Sequence, residues 1–219
     1  MGRSINLEVW NPDGASARVL VVGNHRAAVP TPEGVTCDIA QTAHLQAAER
    51  LAVGCIESAN PDGVYTSDGR TVLGIDLVAD HRTRRASETV AIHDAVSKLN
   101  ADVIIDIGKR EGVQRPTADL EVSIRYFDAP SGSVPEWIAL LGSEIRRRMR
   151  TSHFTVEVSM TRAESSSITS VTGVPVVEVT ATAPPHMSSP GRSAAGLVEA
   201  GVAACGAAVV ALEMVPGLA

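Results

Sequence analysis

Apolar residues follow two different spacings along this chain, and each spacing predicts a different element. Short aliphatic runs at residues 18–22, 103–107 and 174–179 are typical of strands buried on both faces. Apolar residues recur every fourth position from Ile39 to Leu51, as on one face of an amphipathic helix, and residues 87–99 are predicted to form a second helix. The same reading predicts further strands at residues 5–9, 71–77, 120–127 and 154–159, and helices from 38 to about 53, 135 to about 150, and 190 to about 214.

Strands that alternate with helices predict a three-layer α/β/α fold with a mostly parallel, mixed central sheet. We expect one domain over residues 1–219. Hydrophobic residues make up 44% of the chain but aromatic residues only 3%, so small aliphatic side chains must fill the core, as in parallel sheets. Asp38 and Ser189 are predicted N-caps, and Pro135 and Pro190 are predicted to open helices.

The net charge of −6 argues against a nucleic-acid-binding protein, which would carry a basic face. The arginines within residues 146–150 fall at the end of a predicted helix, where cations meet the negative end of its dipole. No apolar run reaches the ~20 residues that span a bilayer, so we expect no membrane segment. Cys37, Cys55 and Cys205 are widely spaced and predict buried free thiols in a reducing, cytoplasmic compartment.

Several polar side chains fall where predicted strands end. Open α/β sheets bind ligands at the carboxyl ends of their strands, and the loop after residues 18–22 carries Asn24, His25 and Glu33. Asp106 lies near the end of the 103–107 strand. Glu178 interrupts an apolar strand, where a carboxylate is costly to bury without a partner. It is therefore our strongest single site candidate, expected at the carboxyl end of its strand and facing the pocket that His25 borders. The alternative is a strand-end glutamate that points into solvent.

Five short segments, taken in order, resemble zinc carboxypeptidases and N-formylglutamate amidohydrolases. The resemblance implies their fold, hydrolysis of an amide bond and a zinc ion. It places His25 where the family has a metal-binding histidine and Glu178 where it has the catalytic glutamate. The segments are Gly23-Asn24-His25, Asn60-Pro61-Asp62-Gly63, Gly74-Ile75-Asp76-Leu77, Asp106-Ile107-Gly108 and Val177-Glu178-Val179.

The chain departs from the family at two metal positions. Ala28 stands where carboxypeptidases have a glutamate ligand, and Gly108 stands where the last histidine would be. Zinc catalysis needs about three protein ligands and an open position for water. If zinc is bound, we expect His25 to be a ligand, with Glu33 or Asp106 helping.

Substrate recognition is expected from Asn24 and Arg82. The family's Asn-Arg pair after the Gly-x-Asp-Leu segment is replaced by Val78 and Ala79, with His81 and Arg82 shortly beyond. The guanidinium of Arg82 could clamp a carboxylate through two parallel hydrogen bonds. The alternative is that Arg82 belongs to a solvated run of arginines.

Two functions remain open from the sequence. The first is a hydrolase that cleaves an amide bond of a small acidic or N-acylated amino acid. The second is a metal-free binding or regulatory protein on the same scaffold. Both take a small molecule as their partner, and a closed homo-oligomer is the default expectation.

Overall fold

The structure is a computed structural model that describes residues 5–10, 14–25, 29–66, 69–111, 118–126, 134–163, 167–183 and 190–215. Its strands are β1 Glu8–Trp10, β2 Ala17–Gly23, β3 Leu51–Ile56, β4 Val103–Glu111, β5 Leu120–Tyr126, β6 Val156–Arg162 and β7 Val176–Ala183. Its helices are α1 Val35–Ala47, α2 Pro61–Thr66, α3 Leu77–Asp80, α4 Ser87–Leu99, α5 Glu136–Arg148, α6 Ile168–Thr172 and α7 Pro190–Met214. The predicted cap Ser189 lies outside the described residues.

The seven described strands form one sheet in the order β1-β3-β2-β4-β7-β5-β6. The four central strands, β3, β2, β4 and β7, are parallel to one another. β1 runs antiparallel to β3, and β5 runs antiparallel to β7. Helices cover both faces, so the predicted three-layer α/β/α fold with a mostly parallel mixed sheet is confirmed.

Alternate residues of each central strand point to different layers. On one face, Val19, Val21 and Ile105 pack with α1, α5 and α7. On the other face, Leu20 and Ile104 pack against α4. The α4 face is the one that carries the polar residues described below.

α7 is a long, apolar core helix. By length and composition, Gly191–Met214 could also cross a membrane, so the expectation that no apolar run is long enough was wrong. Within the protein, 67% of its most apolar window is buried. Its small residues allow close packing: an added Cβ at Gly201 would lie 2.6 Å from Ile39 of α1.

One predicted helix has the wrong bounds, and one predicted strand is wrong. The helix predicted to run from 38 to about 53 instead starts at Val35 and ends at Ala47, and Leu51–Ile56 forms β3. The apolar spacing continues through Leu51, but the backbone of Ala48 leaves the helical region at φ 50°. Residues 71–76 form a turn in place of the strand predicted at 71–77, because Gly74 has φ +73° and breaks the extended backbone, and Leu77 begins α3.

The remaining strands differ from the predictions only at their ends. β1 and β6 start later than predicted, and β4 runs on to Glu111. β7 spans Val176–Ala183, so Glu178 is its third residue. The expectation that Glu178 lies at the carboxyl end of its strand was therefore wrong.

Candidate functional site

A cavity of about 190 Å³ lies on the α4 face of the sheet, beside the end of β2. β4 and β7 contribute Asp106 and Glu178, which are register partners across the parallel pair. Arg125 reaches the same face from β5. The other lining residues come from loops and short helices: His25, Val78, His81, Ser167, Ile168, Thr169 and, at the start of β7, Val176.

His25 is held in place by the residue before it. Asn24 has φ 55°, a left-handed conformation that asparagine tolerates better than most residues. Its side-chain oxygen accepts hydrogen bonds from the backbone N–H and hydroxyl of Thr31, and its amide donates to the Glu57 carbonyl. Asn24 thereby folds the loop back on itself and leaves His25 buried at the cavity wall.

His81 reaches the cavity through the turn between α3 and α4. Asp76 caps α3 by accepting a hydrogen bond from the Val78 N–H. The buried carboxylate of Asp80 then accepts from the backbone N–H groups of Arg85 and Ala86. This network fixes the turn and buries His81, which is 1% exposed.

Three histidines and a carboxylate form a continuous chain of contacts. His25 Nδ1 lies 3.1 Å from Asp106 Oδ2, and His25 Nε2 lies 2.9 Å from His81 Nε2. On its other side, His81 Nδ1 lies 3.3 Å from Nε2 of His93 in α4. His93 packs inside the protein.

One set of tautomers satisfies all three contacts. A carboxylate only accepts, so His25 Nδ1 donates to Asp106 and His25 Nε2 carries a lone pair. His81 Nε2 then donates to His25, and His93 Nε2 donates to His81 Nδ1. Burial, and then the proximity of His25 and His93, lower the pKa of His81 to about 3, so His81 is neutral at pH 7. Burial also lowers the pKa of His93.

Arg125 and Glu178 form an ion pair at the cavity. Nε of Arg125 lies 2.8 Å from Oε1 of Glu178, although its N–H bond is not directed at that oxygen. Both side chains keep some exposure, 25% for Arg125 and 16% for Glu178. Either side chain can therefore release the other and bind a charged group that enters the cavity.

The structure brings only some of the predicted site residues together. Glu178, His25 and Asp106 line one cavity. Glu33 is exposed and lines a different groove, between α1 and α7, so the structure does not bring it to His25. Arg82 is exposed and is not among the residues that line the cavity. Asn24 acts on the loop backbone, and Ala28 lies outside the described residues.

Two residues of the cavity were missed or undervalued. His81 was considered only together with Arg82, and the structure buries the histidine and exposes the arginine. Arg125 was not considered at all. The alternation of apolar and polar residues in β5 could have indicated it. This alternation places Arg125 on the polar face of β5, the strand that pairs with β7 and its Glu178.

The described donors around His25 fall short of a zinc site. His25 Nε2 and His81 Nε2 are close enough to share an ion, but zinc sites use three or four protein ligands. Within the described ranges, one group of three donors has its ligand atoms within 4.8 Å of one another, and it lies elsewhere. That group is Cys37, Cys55 and Glu57, which could hold a metal ion.

No protein-family model and no curated protein matches this chain in sequence. Solved structures do match it. A metallo-carboxypeptidase from Pseudomonas aeruginosa aligns with a TM-score of 0.70 at 15% identity, over 97% of this chain and 62% of that one. A metallo-carboxypeptidase from Burkholderia cenocepacia aligns with a TM-score of 0.64 at 16% identity, over 95% of this chain and 61% of that one.

A succinylglutamate desuccinylase from Silicibacter sp. TM1040 also matches, with a TM-score of 0.54 at 14% identity, over 88% of this chain and 57% of that one. The chain thus spans about three fifths of the length of these proteins. At such identities the match concerns the fold. The chain has the fold of the metallo-carboxypeptidases, and the resemblance inferred from its short motifs is confirmed at that level.

Proposed function

We propose that this chain is a hydrolase that cleaves an amide bond of a small acidic or N-acylated amino acid. The observation that carries the proposal is the Arg125–Glu178 ion pair in the same cavity as the buried His25–Asp106 pair. A volume of about 190 Å³ is small for a ligand pocket and suits a molecule the size of an amino acid. The carboxypeptidase-like fold supports this reaction class.

Arg125 is the proposed carboxylate clamp. A guanidinium binds a carboxylate through two parallel N–H bonds, so an acidic substrate can take over Arg125 from Glu178. The Pseudomonas protein offers a parallel, because the ligand in its structure is a guanidino-substituted succinic acid. The buried hydroxyl of Thr169 also lines the cavity and has no hydrogen-bond partner among the described residues, so it can bind a polar group of the substrate.

Glu178 is the proposed general base. Once the substrate carboxylate occupies Arg125, Glu178 can take a proton from a water molecule whose oxygen attacks the amide carbon. Cleavage of the C–N bond then returns that proton to the leaving nitrogen. The Nε2–H of His81, which donates to His25 in the structure, is a neutral donor that can turn to the carbonyl oxygen.

The test is hydrolysis of N-formyl-L-glutamate and N-succinyl-L-glutamate, followed by release of a primary amine. We expect Glu178→Gln to lower kcat/KM by at least about 100-fold, because a general base contributes about that much. The matched control is Glu157→Gln, at an exposed glutamate on β6. Loss of the partly exposed ion pair should lower the free energy of unfolding by only about 1 kcal/mol. Equal activity of both variants would refute the role of Glu178.

A second function, a metal-free binding or regulatory protein, is favoured by the hydrogen bonds among the histidines. His25, His81 and His93 satisfy one another, so the site can keep its geometry without a metal ion. Arg125 and Glu178 would then bind the carboxylate and the amine of an amino acid. Calorimetry with glutamate and with the acylated glutamates separates the two functions: binding without amine release by the wild-type protein supports the second.

Metal content gives an independent measurement. If the purified protein holds zinc in a one-to-one ratio, His25→Ala should remove it and leave the circular dichroism spectrum unchanged. Unchanged zinc content in His25→Ala would exclude His25 as a ligand.

A further inference from the structure

Two cysteines that are far apart in sequence meet beneath the loop that carries His25. Cys37 lies in the first turn of α1 and Cys55 lies in β3, and their sulfur atoms are 3.4 Å apart. Both are free thiols in the structure. A disulfide bond is about 2.05 Å long, so the two atoms need to approach by only about 1.4 Å. Cys205 is buried separately in α7.

The surroundings connect this pair to the His25 loop. The carboxylate of Glu57 accepts hydrogen bonds from the backbone N–H groups of Gly34 and Cys37, which holds the start of α1 against the end of β3. The backbone of Glu57 also accepts a bond from the Asn24 side chain. A covalent link between α1 and β3 would therefore fix the base on which Asn24 and His25 rest.

We propose that Cys37 and Cys55 form a reversible intramolecular disulfide, with a peroxide as the oxidant and a low-molecular-weight thiol as the reductant. Cys37 is the partly exposed partner and reacts first. Its thiolate attacks the peroxide, the O–O bond breaks, and a sulfenic acid and water form. The Cys55 thiolate then attacks the Cys37 sulfur and displaces hydroxide, which leaves as water. Two thiols lose two electrons and two protons, and one peroxide becomes two water molecules.

The same atoms could instead bind a metal ion, but their environment favours the disulfide. Both oxygens of Glu57 already accept backbone hydrogen bonds. The two sulfur atoms are already in contact, at 3.4 Å, so a disulfide needs no third ligand.

The experiment uses the full chain, reduced, freed of reductant and then exposed to hydrogen peroxide. We expect the number of thiols titrated after denaturation to fall from three to one. The intact mass should fall by two hydrogen atoms, and a peptide containing residue 37 should be joined to one containing residue 55. The Tm should rise by about 5–10 °C, since a disulfide constrains the unfolded chain. A thiol reductant should reverse each change.

Three variants provide the controls. Cys205→Ala should behave like the wild-type protein, whereas Cys37→Ser and Cys55→Ala should gain neither the cross-link nor the rise in Tm. Addition of oxygen atoms to Cys37 with Cys55 still reduced, or a disulfide between two molecules, would overturn the proposal. So would thiols that become titratable only after a chelator removes bound zinc. None of these readouts depends on hydrolase activity, so this proposal and the proposed function can fail separately.

Discussion

Replacing the Asp80 carboxylate by an amide should destabilise the turn that presents His81. Burial alone would raise the pKa of Asp80, but hydrogen bonds from the Ala86 N–H, the Thr83 hydroxyl and the Arg85 N–H lower it to about 2 from its ordinary value of 3.8. A tenfold change in proton affinity corresponds to about 1.4 kcal/mol, so ionised Asp80 stabilises the folded state by about 2 kcal/mol. Asp80→Asn removes that charge and turns an N–H donor toward backbone donors.

The pH dependence of this effect has a definite sign. The pKa of Asp80 is lower in the folded state than in the unfolded state, so its contribution is fully present above about pH 4 and is lost as the pH falls through 2. About half should remain at pH 3. At pH 7 we expect Asp80→Asn to lower the free energy of unfolding by about 2 kcal/mol and the Tm by about 4–8 °C.

Urea denaturation of the wild-type protein and of Asp80→Asn at pH 7, 5 and 3 measures this difference directly. A difference that stays constant down to pH 3 would show that the charge of Asp80 is not its source. Asp94→Asn, on the exposed side of α4, is the control and should change the free energy of unfolding by less than about 0.5 kcal/mol.

Two further predictions concern glycines. Gly201→Ala should lower the free energy of unfolding, measured by urea denaturation, by about 1–3 kcal/mol, because its Cβ would meet Ile39 at 2.6–2.9 Å. Gly191→Ala is the control: an added Cβ there has nothing within 4 Å, so the free energy of unfolding should rise by up to about 1 kcal/mol. At Gly108 an added Cβ would meet Thr180 at 3.8 Å, an ordinary van der Waals contact, so a side chain can begin there without a clash. Gly108→His should bind zinc at least about tenfold more tightly than Gly108→Gln in a chelator competition; equal affinities would contradict this.

Three strands of the central sheet, β2, β4 and β7, could be predicted from the sequence because they contain aliphatic runs with no competing helical spacing. β2 and the core of β4 fall where those runs predict them. β3 was missed because its residues continue the apolar spacing of α1, and the change of backbone at Ala48 leaves no mark in the apolar pattern. Short apolar runs are ambiguous between helix and strand for this reason.

Part of the candidate site was predictable for a topological reason. Parallel neighbouring strands bring polar residues to one region of a sheet, so Asp106 and Glu178 could be placed near the loop of His25. Arg125 comes from an antiparallel strand whose register no local pattern specifies. The Cys37–Cys55 contact could not be predicted either, because Cys55 lies in β3. Cys37 is also only partly buried, contrary to the expectation for all three thiols.

The histidine chain explains how the cavity can keep its shape without a metal ion. Two imidazole nitrogens 2.9 Å apart cannot both present lone pairs to each other. Either a cation lies between them or one carries a proton, and the second arrangement is available because His93 can donate to the far side of His81. Asp106 then orients His25 in both arrangements, since its carboxylate accepts from Nδ1 in each. The shape of the site is therefore set by hydrogen bonds within the chain. The Arg125–Glu178 pair keeps some exposure, so these two side chains can rearrange when a ligand binds.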